Sequence, residues 1–163
     1  MRRLAAPALL AAALLASPAL AQNPGQIARV RAGASCPGCN LFQADLAGLE
    51  LKGRDLHGAR LRQADASGAV MSRARLARAD LRDLNGYGAL LSGADLSGAD
   101  LTNATLVGAY LQGANLAGAR LDGANLSGAE MSHARGLSAG QLARACGDAA
   151  TTLPRGLTAP SCR

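Results

Sequence analysis

Every fifth residue from Leu41 to Met131 is a leucine or a near substitute: of 19 such centres, fifteen are Leu and two are Met (Met71, Met131), and only Ala66 and Gly86 depart. Two positions before each centre, fifteen of the 19 residues are Ala, and the frame never slips. A period of five fits neither the 3.6 of an α-helix nor the 2 of a long strand. It requires a short extended piece and a turn in every repeat. The Ala and the Leu, two apart, then point to one side while the other three residues face water. Gly two places after the centre (Gly48, Gly88, Gly108, Gly128) tolerates the positive φ of a tight corner, and Asp or Asn before it suits turn hydrogen bonding. Composition agrees. The chain is 49% hydrophobic but 2% aromatic, with no Trp, one Phe and two Tyr, so its core is built from Leu and Ala, and so apolar a chain is not disordered.

The departures from the frame carry information. Where the centre shrinks to Gly86, the inward position before it grows to Leu84, an exchange that conserves volume. Ala66 has no such partner and is expected to leave a narrow layer. Leu49 and Arg54 take inward positions where Ala is the rule; a buried lone guanidinium is too costly, so Arg54 is expected to lie at the wet N-terminal end or to bend that coil.

The runs Ala94-Asp95-Leu96-Ser97-Gly98, Ala114-Asn115-Leu116-Ala117-Gly118 and Ala124-Asn125-Leu126-Ser127-Gly128 resemble the A-(D/N)-L-x-x signature of the pentapeptide-repeat family, a likeness that covers Cys39 to about Gly136. The resemblance implies an all-β fold: a right-handed quadrilateral β-helix of about five coils, four repeats per coil, with stacked Leu inside. Some members of that family protect gyrase by resembling duplex DNA through acidic surfaces. This chain is basic and lacks an acidic column, so that activity is not carried over.

The organisation expected is a signal peptide at 1–21, an N-terminal linker and cap at 22–38, the solenoid at 39–136 and a C-terminal helix and flap at 137–163. Arg2 and Arg3, the Leu/Ala run from Leu4 to Ala16 and the small-residue site Ala19-Leu20-Ala21 form the secretory pattern; the run is too short to span a bilayer, and no later segment offers a span. The protein is thus expected to be exported, to the periplasm or beyond. Its formal charge of +6 becomes +4 without Arg2 and Arg3, modest for a nucleic-acid binder, and stacking aromatics are nearly absent. A solenoid exposes unpaired strand edges at both ends, which need covers. Residues Ser138 to Ala145 read as a short capping helix with a capping box, Ser138 and Gln141, closed near Gly147. Cys36 and Cys39 stand at the solenoid entrance, Cys146 and Cys162 at its exit, and each end is expected to hold one disulfide. Haem attachment needs His where Asn40 stands, and one zinc site would need both pairs together. A redox role for the C-x-x-C pair stays open as an alternative.

With four repeats per coil, residues 20 apart stack. Val70, Leu90 and Tyr110 then form a column where Asp or Asn is usual, and Tyr87 and Val107 lie beside it. These five are a candidate protein interface, for a partner or a second copy. Arg60, Arg62, Arg75, Arg78 and Arg82 gather on the opposite edge, interrupted by Asp80 and Asp83; they are a candidate edge for anionic envelope glycan or lipid. His57 and His133 fall about four coils apart and cannot share a site. No catalytic, cofactor or metal residue is assigned, and the reading is a non-enzymatic structural or interaction module.

Overall fold

The structure, a computed structural model, describes residues 22–162. The segment read as a signal peptide lies outside the described residues.

Each repeat closes on itself by one hydrogen bond. Ala44 N donates to Leu41 O and Ala99 N to Leu96 O, both at 3.0 Å, and the third residue of every turn before the last, that of Met131, has positive φ: 53° at Gln43, 65° at Gly98. This is the pattern of a type II turn, and it explains the glycine two places after the centre. Between turns the chain pairs in parallel with the residue 20 positions on, as in the column Asn40, Arg60, Asp80, Asp100, Arg120. At each bridge two bonds form: Arg60 N donates to Cys39 O and Leu41 N to Arg60 O, each at 2.8 Å. Four repeats therefore complete one layer, and layers stack at about 4.8 Å.

The four sides take their names from their centres. Side 1 carries Leu41 and its stack through Leu121, side 2 Leu46 through Leu126, side 3 Leu51 through Met131, and side 4 Leu56 through Leu116. All of these centres are buried, as are the alanines beside them, and no polar side chain is buried among the described residues. Each buried Leu contributes about 2 kcal/mol, which offsets ordering the backbone because every layer is bonded to the next. Arg54 is exposed in the first layer and Leu49 packs half-buried against the core, so the two odd inward residues sit at the N-terminal end of the stack.

Both ends are covered. At the N-terminal end the chain forms a helix, α1 (Pro24–Arg31), a form that the sequence did not specify for the linker and cap at 22–38. Asn23 caps it, accepting from Gln26 N at 3.1 Å, and Pro24 opens the first turn; Asn-Pro ahead of a short apolar pattern was the available signal. Val30 plugs the core, and the helix supplies edge partners: Gln26 Oε1 accepts from Asn40 N (2.6 Å) and Arg31 donates to Asp45 O (3.1 Å). The ladder itself begins at Cys36, whose N donates to Asp55 O at 2.8 Å, so Cys36 fills a centre and Cys39 the next inward slot.

At the other end α2 (Ala139–Leu142) has the expected capping box, with Ser138 and Gln141 bonded reciprocally, and Leu142 is fully buried. The helix is shorter than the sequence suggests because the ladder reclaims the chain: Gly123 N donates to Arg144 O (2.7 Å) and Cys146 N to Ala124 O (2.9 Å). Gln141 Nε2 reaches Leu116 O and Ala119 O, both at 2.8 Å, so the cap satisfies carbonyls of the last layer. Thr152 continues the stack above Glu130, and Leu153, Leu157 and Ala159 close the flap onto the core.

Candidate functional site

The amide of the residue just after each centre takes no part in the backbone ladder. An Asp or Asn just before the centre accepts it instead: Asp65 Oδ1 from Ser67 N (2.9 Å), Asp95 Oδ1 from Ser97 N (3.1 Å), Asn115 Oδ1 from Ala117 N (3.2 Å), Asn125 Oδ1 from Ser127 N (3.0 Å). This Asx clamp is the physical reason for the D/N preference. Sides 1, 2 and 4 each carry it in at least three layers. Side 3 has none. Its column reads Glu50, Val70, Leu90, Tyr110, Glu130, and among the described residues the amides of Lys52, Ser72, Ser92, Gln112 and Ser132 have no acceptor.

The register therefore assembles the residues of the candidate interface. Val70 bridges Leu90 and Leu90 bridges Tyr110 on side 3. Tyr87 and Val107 stand on the neighbouring side 2, across a single corner. Tyr87 is 61% and Tyr110 43% exposed, the two exposed large apolar side chains among the described residues, while Val70, Leu90 and Val107 are half-buried. Glu50 below and Glu130 above close the column with negative charge, and Gln112 Nε2 holds Glu130 at 3.4 Å.

The five arginines wrap the diagonally opposite corner, with Arg60, Arg62 and Arg82 on side 1, Arg75 on side 4 and Arg78 between them. Arg62, Arg75 and Arg82 are tied to carboxylates. Arg62 meets Asp83 at 3.5 Å and Arg75 meets Asp55 at 3.2 Å; Arg82 grips Asp80 with two bonds, the shorter 2.6 Å, and lies 3.9 Å from Asp100. The pattern continues through Arg120 and Asp122 to Arg144. Hydrogen bonds from Arg82 hold the Asp80 carboxyl below its usual range, and Asp80 raises the Arg82 guanidinium in turn. Much of this edge is thus neutralised by itself.

Cys36 pairs with Cys39 and Cys146 with Cys162, at Cα–Cα distances of 5.5 and 4.8 Å, one pair at each end. Cys36 and Cys39 are buried in the first core layer beneath α1. His57 lies in the first layer, its Nδ1 2.8 Å from Asp55 Oδ1, which with the His57 amide lowers the Asp55 pKa; His133 is in the fifth, 2.9 Å from Gln112 Oε1. Four cations that the sequence reading left out of its basic edge, or did not separate from it, also emerge. Lys52, Arg54, Arg73 and Arg78 have no carboxylate within ion-pair distance among the described residues. Arg73 and Arg78 in glycine's corner slot were the available signal.

A parallel four-sided stack with one five-residue repeat per side, closed by caps and displaying its outward columns as flat faces, is a solenoid scaffold. The pentapeptide-repeat family model matches eight copies over residues 32–63, 55–85, 69–106, 87–116 and 106–135, and the chain belongs to that family, whose fold is the right-handed quadrilateral β-helix. Among solved structures it is similar to HetL, a pentapeptide repeat protein involved in heterocyst differentiation regulation from the cyanobacterium Nostoc sp. strain PCC 7120. The identity is 31%, over 78% of this chain and 60% of that one, with a TM-score of 0.42, so the chain spans about three fifths of that protein's length. It is also similar to a pentapeptide repeat protein from the cyanobacterium Cyanothece 51142 (28% identity, 79% and 97% covered, TM-score 0.39). No curated protein matches the chain.

Proposed function

We propose that this protein is a non-catalytic, exported interaction module that offers the corner between sides 2 and 3 to a protein partner. The observation that carries the reading is the Val70, Leu90, Tyr110 column. On each of the other three sides the position before the centre clamps an amide in at least three layers; on this side no layer does, and three carry apolar or aromatic side chains there, two of whose neighbours, Tyr87 and Val107, enlarge the same patch. A forgone hydrogen bond is worth about 1 kcal/mol, so stability alone does not favour the exchange. Tyr is suited to contact surfaces because one flat side chain brings area and a polar tip. The carboxylates of Glu50 and Glu130 at the column's ends suit a partner with an apolar ridge flanked by Lys or Arg. Export is supported by the pattern at 1–21 and by four paired cysteines.

In-cell photo-crosslinking from residue 110, with residue 97 on side 4 as control, tests this. A discrete protein adduct at 110 alone, identified by mass spectrometry and lost in Leu90→Asn, is expected. Equal background at both positions, or an adduct consisting of the chain itself, contradicts the reading.

A further inference from the structure

Among the described residues six other than glycine hold positive φ, and they divide into two kinds. Gln43, Gln63, Asp83 and Asn103 stack at the corner of sides 1 and 2, where side-chain bonds compensate the backbone: Gln43 Nε2 donates to Gln63 Oε1 (3.1 Å) and Asn103 Nδ2 to Asp83 Oδ1 (3.3 Å). Arg73 (φ 58°) and Arg78 (φ 57°) have no such compensation. Glycine fills the same slot in the layers on either side, Gly53 and Gly93 around Arg73, Gly58 and Gly98 around Arg78, and all four have positive φ. A left-handed conformation disfavours any residue with a Cβ, and strain kept without a structural return points to function.

The two arginines occupy one layer and stand at the two corners of side 4. Their stems lie along the glycines of the next layer, each Cγ 3.5 Å from where a Cβ on Gly93 or Gly98 would stand, so the methylenes rest on the surface and the guanidinium ends stay outward. Lys52 and exposed Arg54 sit in the layer beneath, and none of the four meets a carboxylate among the described residues. The acids nearby are Glu50, Asp55, which is committed to Arg75 and His57, and Asp95, which accepts from Ser97 N and Asn115 Nδ2. Above the arginines side 4 has low relief: Ser97 and Ala117, with Gly93, Gly98, Gly113 and Gly118 at its corners.

We propose that side 4 docks on an anionic phospholipid bilayer. Two arginines separated by a full side cannot both engage one small anion, whereas a plane of phosphates reaches both, and the flat side above them lets headgroups approach. Lys52 and Arg54 extend the same positive field. This surface is separate from the corner proposed for a protein partner, and either reading can fail without the other.

The test is co-sedimentation of the full chain with phosphatidylcholine vesicles containing phosphatidylglycerol at roughly one lipid in three, against pure phosphatidylcholine. Binding to the anionic vesicles alone, weakened by salt, is expected. Arg73→Gly and Arg78→Gly each weaken it about fivefold, the effect of one cation at an anionic surface. Their melting temperature holds or rises, because glycine relieves the backbone. The ion-paired control Arg62→Ser/Arg82→Ser keeps binding within about twofold. Equal binding to both vesicle types, unchanged binding by the glycine pair, or capture by a soluble sulfated polysaccharide without vesicle binding would each overturn the proposal.

Discussion

Leu84 fills the space that Gly86 leaves: its Cδ2 lies 3.6 Å from where a Cβ on Gly86 would stand, while Leu106 Cδ2 from the layer above lies 2.9 Å from the same point and Thr105 O 3.2 Å. Two inward sites have exchanged size. Gly86→Ala therefore pushes on the end of the Leu106 side chain and crowds Thr105 O, and is expected to cost about 1–3 kcal/mol, and Leu84→Ala about 2–5 kcal/mol from the cavity. The exchange Leu84→Ala/Gly86→Leu restores the common pattern and should recover most of that loss. Urea unfolding of the three variants measures it; simple additivity of the two single costs would refute the pairing.

The column on side 3 makes stability and contact pull apart. Tyr110→Asn introduces an acceptor for the Gln112 amide, which lacks one. Stability should hold or rise by up to about 1 kcal/mol while the crosslinked adduct disappears. A thermal melt showing clear destabilisation would mean that Tyr110 is there for packing.

Acid should weaken the fold through the clamps. Amide and hydroxyl donors from Ser67 lower the Asp65 pKa, and hydrogen bonds from Ser97 lower that of Asp95, each from 3.8. A depressed folded-state pKa lends stability that is complete above the ordinary Asp range and is lost as pH falls through the folded value. Urea midpoints should therefore drop below about pH 4. Asn keeps the Oδ1 acceptor without titrating, so Asp65→Asn/Asp95→Asn should flatten that drop, and an unchanged pH profile would remove the clamps from the account.

The C-terminal flap is held by Cys146 and Cys162, 16 residues apart in sequence, with Gly147 N donating to Pro160 O at 2.8 Å. Cys146→Ser/Cys162→Ser should cost about 3 kcal/mol by the loop-closure argument. Intact mass of the exported protein is expected to begin at Gln22 and to be four hydrogens lighter than the reduced chain. Retention of residues 1–21, or free thiols, would count against export.

The repeat was legible because its period is rigid: a centre at every fifth residue fixes what stacks on what, and Val70, Leu90 and Tyr110 fell into one column from arithmetic alone. The compensation at Leu84 was readable for the same reason. The caps were harder. α1 is eight residues with a weak apolar face, and its place is set by Gln26 and Arg31 reaching edge atoms that no local pattern announces. The length of α2 depended on Gly123 drawing Arg144 O back into the ladder. The register gathers the arginines at one corner, but which cations are neutralised depends on side-chain reach: Arg82 has Asp80 two residues away, whereas Arg78 has no carboxylate within ion-pair distance among the described residues.

Amide hydrogen exchange on the isolated protein tests the claim on which the function rests, that side 3 alone lacks the clamp in every layer. The amides of Ser72, Ser92 and Gln112 should exchange about 2- to 10-fold faster than those of Ser67, Ser97 and Thr102, the equivalent of one hydrogen bond of about 0.5–1.5 kcal/mol. Equal protection across the two sets would contradict the account, because the apolar column would then have cost the fold nothing.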